Sequence, residues 1–311
     1  MVVGQHPWAP NSLGRNYNSQ PIANSAGSES RFITSLARVF MPTPRSAQVL
    51  RHMAVCFLLA AGASIGAAGA APVAGDADFA AENPSPRHAE KVAEVKAGQY
   101  DLVLIGDSIT HSVGEMPGTI YDPLRAVWDR HWAPRNGINL GHNGFRTENI
   151  LWNLLHGELD FASSPKVAVL LIGTNNADDR NFPRVHTPEQ ILAGTKAIVE
   201  LIRTRHPTTK ILILRIFPRG GDGEQGIAER VFHSSKTCVE TCRQAGALTE
   251  QLADGKQVFW LDVGGVFLRP DGTIDTDLMP DLLHPNLKGA EAWATAIEPM
   301  LVKLLDEPPA P

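Results

Sequence analysis

The chain has 311 residues, of which 43% are apolar and 20% charged, with a formal net charge of −5. Those proportions fit a soluble globular enzyme: one sizeable domain with accessory sequence, or two small domains. No basic excess is present, which argues against a nucleic-acid partner. Without the five arginines and one glutamate of residues 1–71 the balance is −9, which favours solubility and says little about partners.

The first hundred residues do not read as fold. Residues 1–40 are polar and irregular, and then Arg45 and Arg51 lead into MAVCFLLAAGASIGAAGAA, residues 53–71. A basic approach, a short apolar run and the small residues Ala68-Gly69-Ala70 match a secretory signal peptide. The competing reading is a membrane anchor, but the apolar part, Ala54 to Gly66, is short for a span. Residues 1–71 are therefore expected to be an amino-terminal extension and signal, with the true start at Met41 or Met53. The mature protein is expected to be secreted or periplasmic, with no stable membrane insertion after cleavage. Cys56 would leave with the signal. Residues 72–87, rich in Ala, Asp, Glu and Pro, read as a linker, 88–306 as the domain and 307–311 as a tail.

From His88 onward helix-like and strand-like segments alternate. The expected helices are 88–97, 123–132, 147–156, 188–205, 226–254 and 286–305, the last with Pro285 placed to start it. The expected strands are 102–105, 137–140, 167–172, 211–216 and 258–261, short apolar runs suited to full burial. Such alternation indicates one α/β domain, a parallel sheet of about five strands covered by helices on both faces. Cys238 and Cys242 lie four apart on an expected helix. They share a face, yet helix geometry makes a relaxed disulfide between them awkward, and two thiols make a zinc site improbable.

All strand carboxyl ends of a parallel sheet open on one rim, where ligands of open α/β sheets bind. The residues that follow the strands are Gly106-Asp107-Ser108, Gly141-His142-Asn143-Gly144, Gly173-Thr174-Asn175-Asn176 and Pro218-Arg219-Gly220-Gly221. Turns need glycine, but they do not need a serine or an Asn-Asn pair. Ser108 is thus a candidate nucleophile; the plainer reading is a helix cap. A seryl hydroxyl needs a base, and Asp281-Leu282-Leu283-His284 supplies one with its orienting carboxylate. Taken alone, that pair also reads as a capping Asp and a surface His ahead of Pro285. Charge developing on a carbonyl oxygen needs donors in place, and the rim offers the Ser108 N–H, the Gly144 N–H and the Asn175 amide. A nucleotide-binding reading of Gly141–Gly144 fails, because the turn follows the second strand and lacks the full G-x-G-x-x-G pattern.

GDS at 106–108, N-x-G-x-x-G at 139–144, GTNN at 173–176 and D-x-x-H at 281–284 resemble the four ordered blocks of the SGNH, or GDSL, hydrolases. Residues 147–159, Pro165-Lys166-Val167 and Pro218-Arg219-Gly220 are similar to the α catalytic subunits of platelet-activating-factor acetylhydrolase. The resemblance covers residues 100–305 or so. It implies a flavodoxin-like three-layer α/β/α sandwich, with Ser108 as nucleophile, His284 as general acid/base and Asp281 as its orienter. It further implies an oxyanion hole of Ser108, Gly144 and Asn175, and leaves a homodimer open. The departures are Phe145, where Asp is common, and His142 and Asn143, where smaller residues are.

The loops carry Asn176, Asp178, Asp179, Arg180, Arg219 and Asp222, which reads as a polar mouth; Asp107, Asn176 and Arg219 are the expected substrate contacts, with Asp107 also shaping the turn. The expected activity is hydrolysis of short acyl esters, acetyl esters of carbohydrates foremost, with no cofactor and no metal. Its alternatives are a phospholipid or platelet-activating-factor type acetylhydrolase, an acyltransferase, and a catalytically dead carbohydrate-binding sandwich.

Overall fold

The computed structural model describes residues 85–308. The expected signal, and all but the last three residues of the expected linker, lie outside those residues. Ser85 accepts a hydrogen bond from the His88 N–H and caps α1, Pro86–Ala97, so this helix starts two residues ahead of the expected one. Five strands follow: β1 Leu102–Gly106, β2 Gly137–Gly141, β3 Val167–Leu171, β4 Lys210–Leu214 and β5 Val258–Leu261. All pair in parallel in the order β2-β1-β3-β4-β5. This is the doubly wound order whose switch point falls between β1 and β3.

The helices between the strands are α2 (Ser108–His111), α3 (Arg125–His131), α4 (Thr147–Asn153), α5 (Pro188–Arg205), α6 (Lys236–Leu248) and α7 (Leu287–Leu305). Successive strand residues point to opposite faces. Val103, Ile105, Ile138, Leu140, Ala168, Leu170, Ile211 and Ile213 build one core with Ile150, Leu151 and Leu154 and with Ile198 and Ile202 of α5. The alternate set, Leu102, Leu104, Val169, Leu212 and Leu214, is equally buried and faces the other layer, where α7 packs on β3 and on α3. There Trp132 and Trp293 lie with ring centroids 5.2 Å apart. A sheet buried on both faces explains why its strands read as unbroken apolar runs rather than alternating ones.

Two expected elements differ. The helix expected over 226–254 is α6 alone, followed by a short 3₁₀ turn, Thr249–Leu252. Ser235 caps α6 through the Cys238 N–H, and residues 220–234 instead run as a loop tied to the Pro280–Leu282 backbone. The helix expected over 147–156 ends at Asn153 and opens into a wider turn, Leu154–Glu158, whose Gly157 has φ +120°. At the carboxyl end, Glu307 still bonds to Arg135, which also holds Glu298. Cys238 and Cys242 are buried free thiols. Among the described residues, no helix is long and apolar enough to cross a membrane.

Candidate active site

Ser108 is the first residue of α2, where the chain turns out of β1. Asp107 makes that turn: its carboxylate accepts the Ile109 N–H at 3.0 Å. Burial pushes the Asp107 carboxyl up to about 6, against the pull of the Ile109 N–H, His284 and Arg219. It is enclosed beneath the serine and caps the helix; it is not an exposed substrate contact as expected.

The Ser108 Oγ lies 2.9 Å from His284 Nε2, and His284 Nδ1 lies 2.8 Å from Asp281 Oδ2. The carboxylate is held in turn by two backbone donors on Oδ1, Leu283 N–H at 2.9 Å and His284 N–H at 2.6 Å. Burial alone would raise the Asp281 carboxyl, but His284 and these two N–H groups bring it below its ordinary value. With a carboxylate as acceptor, Nδ1 carries the hydrogen and Nε2 presents its lone pair to the serine. The three-residue spacing closes this way because Leu282 adopts φ +69°, in the left-handed region that few residues with a Cβ occupy.

Two aromatic rings stand edge-on to the imidazole: Phe232, 5.0 Å between centroids, and Tyr121, 5.7 Å. The Tyr121 hydroxyl also donates to Asp281 Oδ2 at 3.4 Å, and the Phe232 N–H donates to the Asp281 carbonyl at 2.8 Å. Neither ring is found from sequence spacing. Phe232 lay in the expected helix, and Tyr121 lies in the segment between α2 and α3. The only signal either carries is an aromatic in a loop.

The other rim residues converge from β2 and β3. Gly144 has φ +74°, and nothing lies within 4 Å of where a Cβ would stand, so its backbone faces open space. Asn175, in the turn Thr174–Asn176 after β3, donates one Nδ2 hydrogen to the Phe145 carbonyl at 2.8 Å. That bond fixes the amide plane and leaves its second N–H. Ser108, Asn175 and His284 are 3%, 6% and 3% exposed, so all three are almost wholly buried.

Asn176 and Arg219, expected to contact substrate, are turned inward. Asn176 is fully buried; its amide donates to Thr147 Oγ1 and to Glu148 Oε2, and its oxygen accepts the Thr147 N–H. Arg219 is enclosed, donating to Ser234 Oγ, the Thr174 carbonyl and Asp178 Oδ2. Both brace the loops that carry Asn175. The polar mouth is therefore smaller than expected: of the six polar loop residues, Asp179, Arg180 and Asp222 remain exposed, the last two as an ion pair at 2.6 Å. Ile120 and Ile227 are two of the most exposed large apolar residues described. Ile120 precedes Tyr121, and the Ile227 N–H donates to the Pro280 carbonyl.

A serine, histidine and carboxylate so connected at the rim of a 2-1-3-4-5 parallel sheet define a serine-hydrolase type of site on a flavodoxin-like scaffold. Residues 104–292 match the model of the GDSL-like lipase/acylhydrolase family. The human platelet-activating factor acetylhydrolase IB subunit alpha1 is 30% identical over 219 residues, covering 70% of this chain and 82% of that protein. The rat alpha2 subunit is 29% identical over 72% of this chain and 85% of its own. In fold, a GDSL-like lipase from Bacteroides thetaiotaomicron superposes with a TM-score of 0.54 at 14% identity, covering 70% of this chain and 96% of that one. The chain belongs to the GDSL-like lipase/acylhydrolase family, and it is a carboxylic ester hydrolase of the SGNH type.

Proposed function

We propose that the protein cleaves short acyl esters, acetyl esters foremost, through a covalent intermediate on Ser108. The relay from Asp281 through His284 to the Ser108 hydroxyl carries this reading. Ser108 Oγ attacks the ester carbonyl while His284 Nε2 takes its proton, and Asp281 stabilises the imidazolium that forms. The carbonyl oxygen becomes an oxyanion, met by the backbone N–H groups of Ser108 and Gly144 and by the remaining N–H of Asn175. His284 then returns the proton to the leaving alcohol. Water, deprotonated by the same imidazole, opens the acyl-enzyme and releases the acid.

The short acyl preference is supported by the near-complete burial of Ser108, Asn175 and His284. A polar alcohol, such as an O-acetylated carbohydrate, is supported by the exposed Arg180–Asp222 pair and by the signal-like segment, which would bring the enzyme to substrates outside the cytoplasm. A second reading, an acetylated amphiphile, is favoured by exposed Ile120 and Ile227 and by similarity to the acetylhydrolase subunits. Purified protein assayed on p-nitrophenyl esters from acetate to octanoate should lose kcat/KM steeply beyond butyrate. A maximum at octanoate would overturn the acyl assignment. Acetylated xylo-oligosaccharides and an acetylated lysophospholipid, compared side by side, separate the two alcohols.

A further inference from the structure

Behind the Gly144 turn lies a group of buried polar residues that the proposed chemistry does not touch. Glu158, in the turn that ends α4, is 1% exposed. It accepts from His88 Nδ1 at 2.8 Å, from Asn153 Nδ2 at 2.9 Å and from His142 Nε2 at 2.9 Å. Three donors on one enclosed carboxylate compensate its burial; burial raises its pKa, but the two histidines bring it below the ordinary value. The carboxylate is thus an acceptor, and the Asn153 amide also lies 3.0 Å from His142 Nε2, closing the group. Burial, with Arg87 and His88 close by, holds His142 below the ordinary imidazole value.

His142 is pinned at three further points. Its N–H donates to the Gly106 carbonyl at 2.9 Å, two residues before Ser108. Its carbonyl accepts the Phe145 N–H at 3.2 Å, closing the turn that contains Gly144. Its ring lies flat on the Phe145 ring, with centroids 4.7 Å apart and planes 17° from parallel. Phe145 is the residue whose carbonyl fixes the Asn175 amide. One continuous chain of contacts therefore runs from Glu158 to His142, to Phe145, to Asn175, and it spans the turn that contains Gly144. His142 and Phe145 are also two of the positions at which the second block departs from its relatives, and here they depart together, as a stacked pair.

We infer that the Glu158–His142 pair is a positioning device that sets the Gly144 turn and the Asn175 amide at oxyanion distance, through the ring of Phe145. The inference rests on the reading of Gly144 and Asn175 as oxyanion donors. Neither His142 nor Glu158 touches substrate. Loosening the pair misplaces donors that act only on the transition state, so it lowers kcat and leaves KM almost unchanged.

The test is a double-mutant cycle on p-nitrophenyl acetate hydrolysis with folding checked by circular dichroism. His142→Phe keeps a ring to stack and loses the bond to Glu158. In the parent it should lower kcat by about 10–100-fold with KM within about twofold. In the Asn175→Ala background the same substitution should cost at least about threefold less than in the parent, because one of the two donors it positions is gone. Phe145→Ala, which removes the stacking ring from the outer side, should follow the same pattern and stands in if His142→Phe does not fold. Equal fold-losses in both backgrounds would overturn the inference while leaving the oxyanion assignment standing. An Asn175→Ala enzyme with parental kcat would instead remove the assignment, and the inference with it.

Discussion

Gly220 and Leu282 are fastened to each other twice. The Gly220 N–H donates to the Leu282 carbonyl at 2.8 Å, and the Leu282 side chain fills the volume a Cβ on residue 220 would need, 2.8 Å from where it would stand. Leu282 is the left-handed residue that lets Asp281 reach His284. The loop after β4 thus acts as a template for the turn that orients the base. Gly220→Ala should displace that turn: kcat should fall by about 10–100-fold, with an overpacking cost of roughly 1–3 kcal/mol. Steady-state kinetics beside thermal melts check this, and an alanine enzyme with parental kcat would show that the template is dispensable.

Ser108→Ala should remove nearly all hydrolysis of p-nitrophenyl acetate. The hydroxyl has one side-chain partner, His284, so the loss in stability should be no more than about 1 kcal/mol. Intact-protein mass spectrometry with a fluorophosphonate should give one adduct on the parent and none on the alanine variant; an adduct on both would place the nucleophile elsewhere.

Asp281→Asn keeps an oxygen for the Leu283 and His284 backbone donors but turns an amide N–H towards the imidazole. Nδ1 must then be the acceptor, which puts the hydrogen on Nε2 and leaves nothing to take the serine proton. The expected fall in kcat is about 10⁴-fold, with the fold retained. A fall below tenfold would mean that the carboxylate is not the orienting group.

Asn175→Ala should lower kcat by about 10²–10³-fold if its free N–H meets the oxyanion. The variant also loses the bond to the Phe145 carbonyl, so KM is the control: a loss carried mainly by KM would point to ground-state binding instead.

Asp107 makes a prediction about stability rather than rate. Its carboxyl is pushed up to about 6 in the folded protein, against 3.8 without the fold. The charged form is therefore disfavoured by folding. The penalty is fully present above about pH 6 and is relieved as pH falls towards 3.8. Asp107→Asn preserves an oxygen to cap Ile109 and carries no charge. It should be more stable than the parent at pH 8, by of order 2 kcal/mol, and no more stable at pH 4. Urea melts at the two pH values measure this; a variant less stable at pH 8 would contradict it.

The parallel sheet and the four blocks were legible because each is local. A five-residue apolar run is a strand wherever both faces are covered, and Asp-x-x-His reaches across a single turn. Asn176 and Arg219 read as surface contacts because their sequence says polar loop. Their burial depends on Thr147, Glu148, Asp178 and Ser234, which arrive from elements far along the chain. The same holds for residues 226–235, whose helix-like pattern yields to hydrogen bonds with the Pro280–Leu282 backbone. Phe232 could be placed against His284 only once that loop was seen.

The hydroxyl of Ser108 and the imidazole of His284 are 176 positions apart in the chain and 2.9 Å apart in the fold. During synthesis the serine emerges early, yet the group that activates it in the proposed mechanism is nearly the last part of the domain to leave the ribosome. Until β5 has joined the sheet and the segment ahead of α7 has closed over the rim, the hydroxyl is an ordinary alcohol. On the proposed mechanism a chain stopped short of His284 should therefore be chemically inert, and esterase activity should report completion of the fold itself.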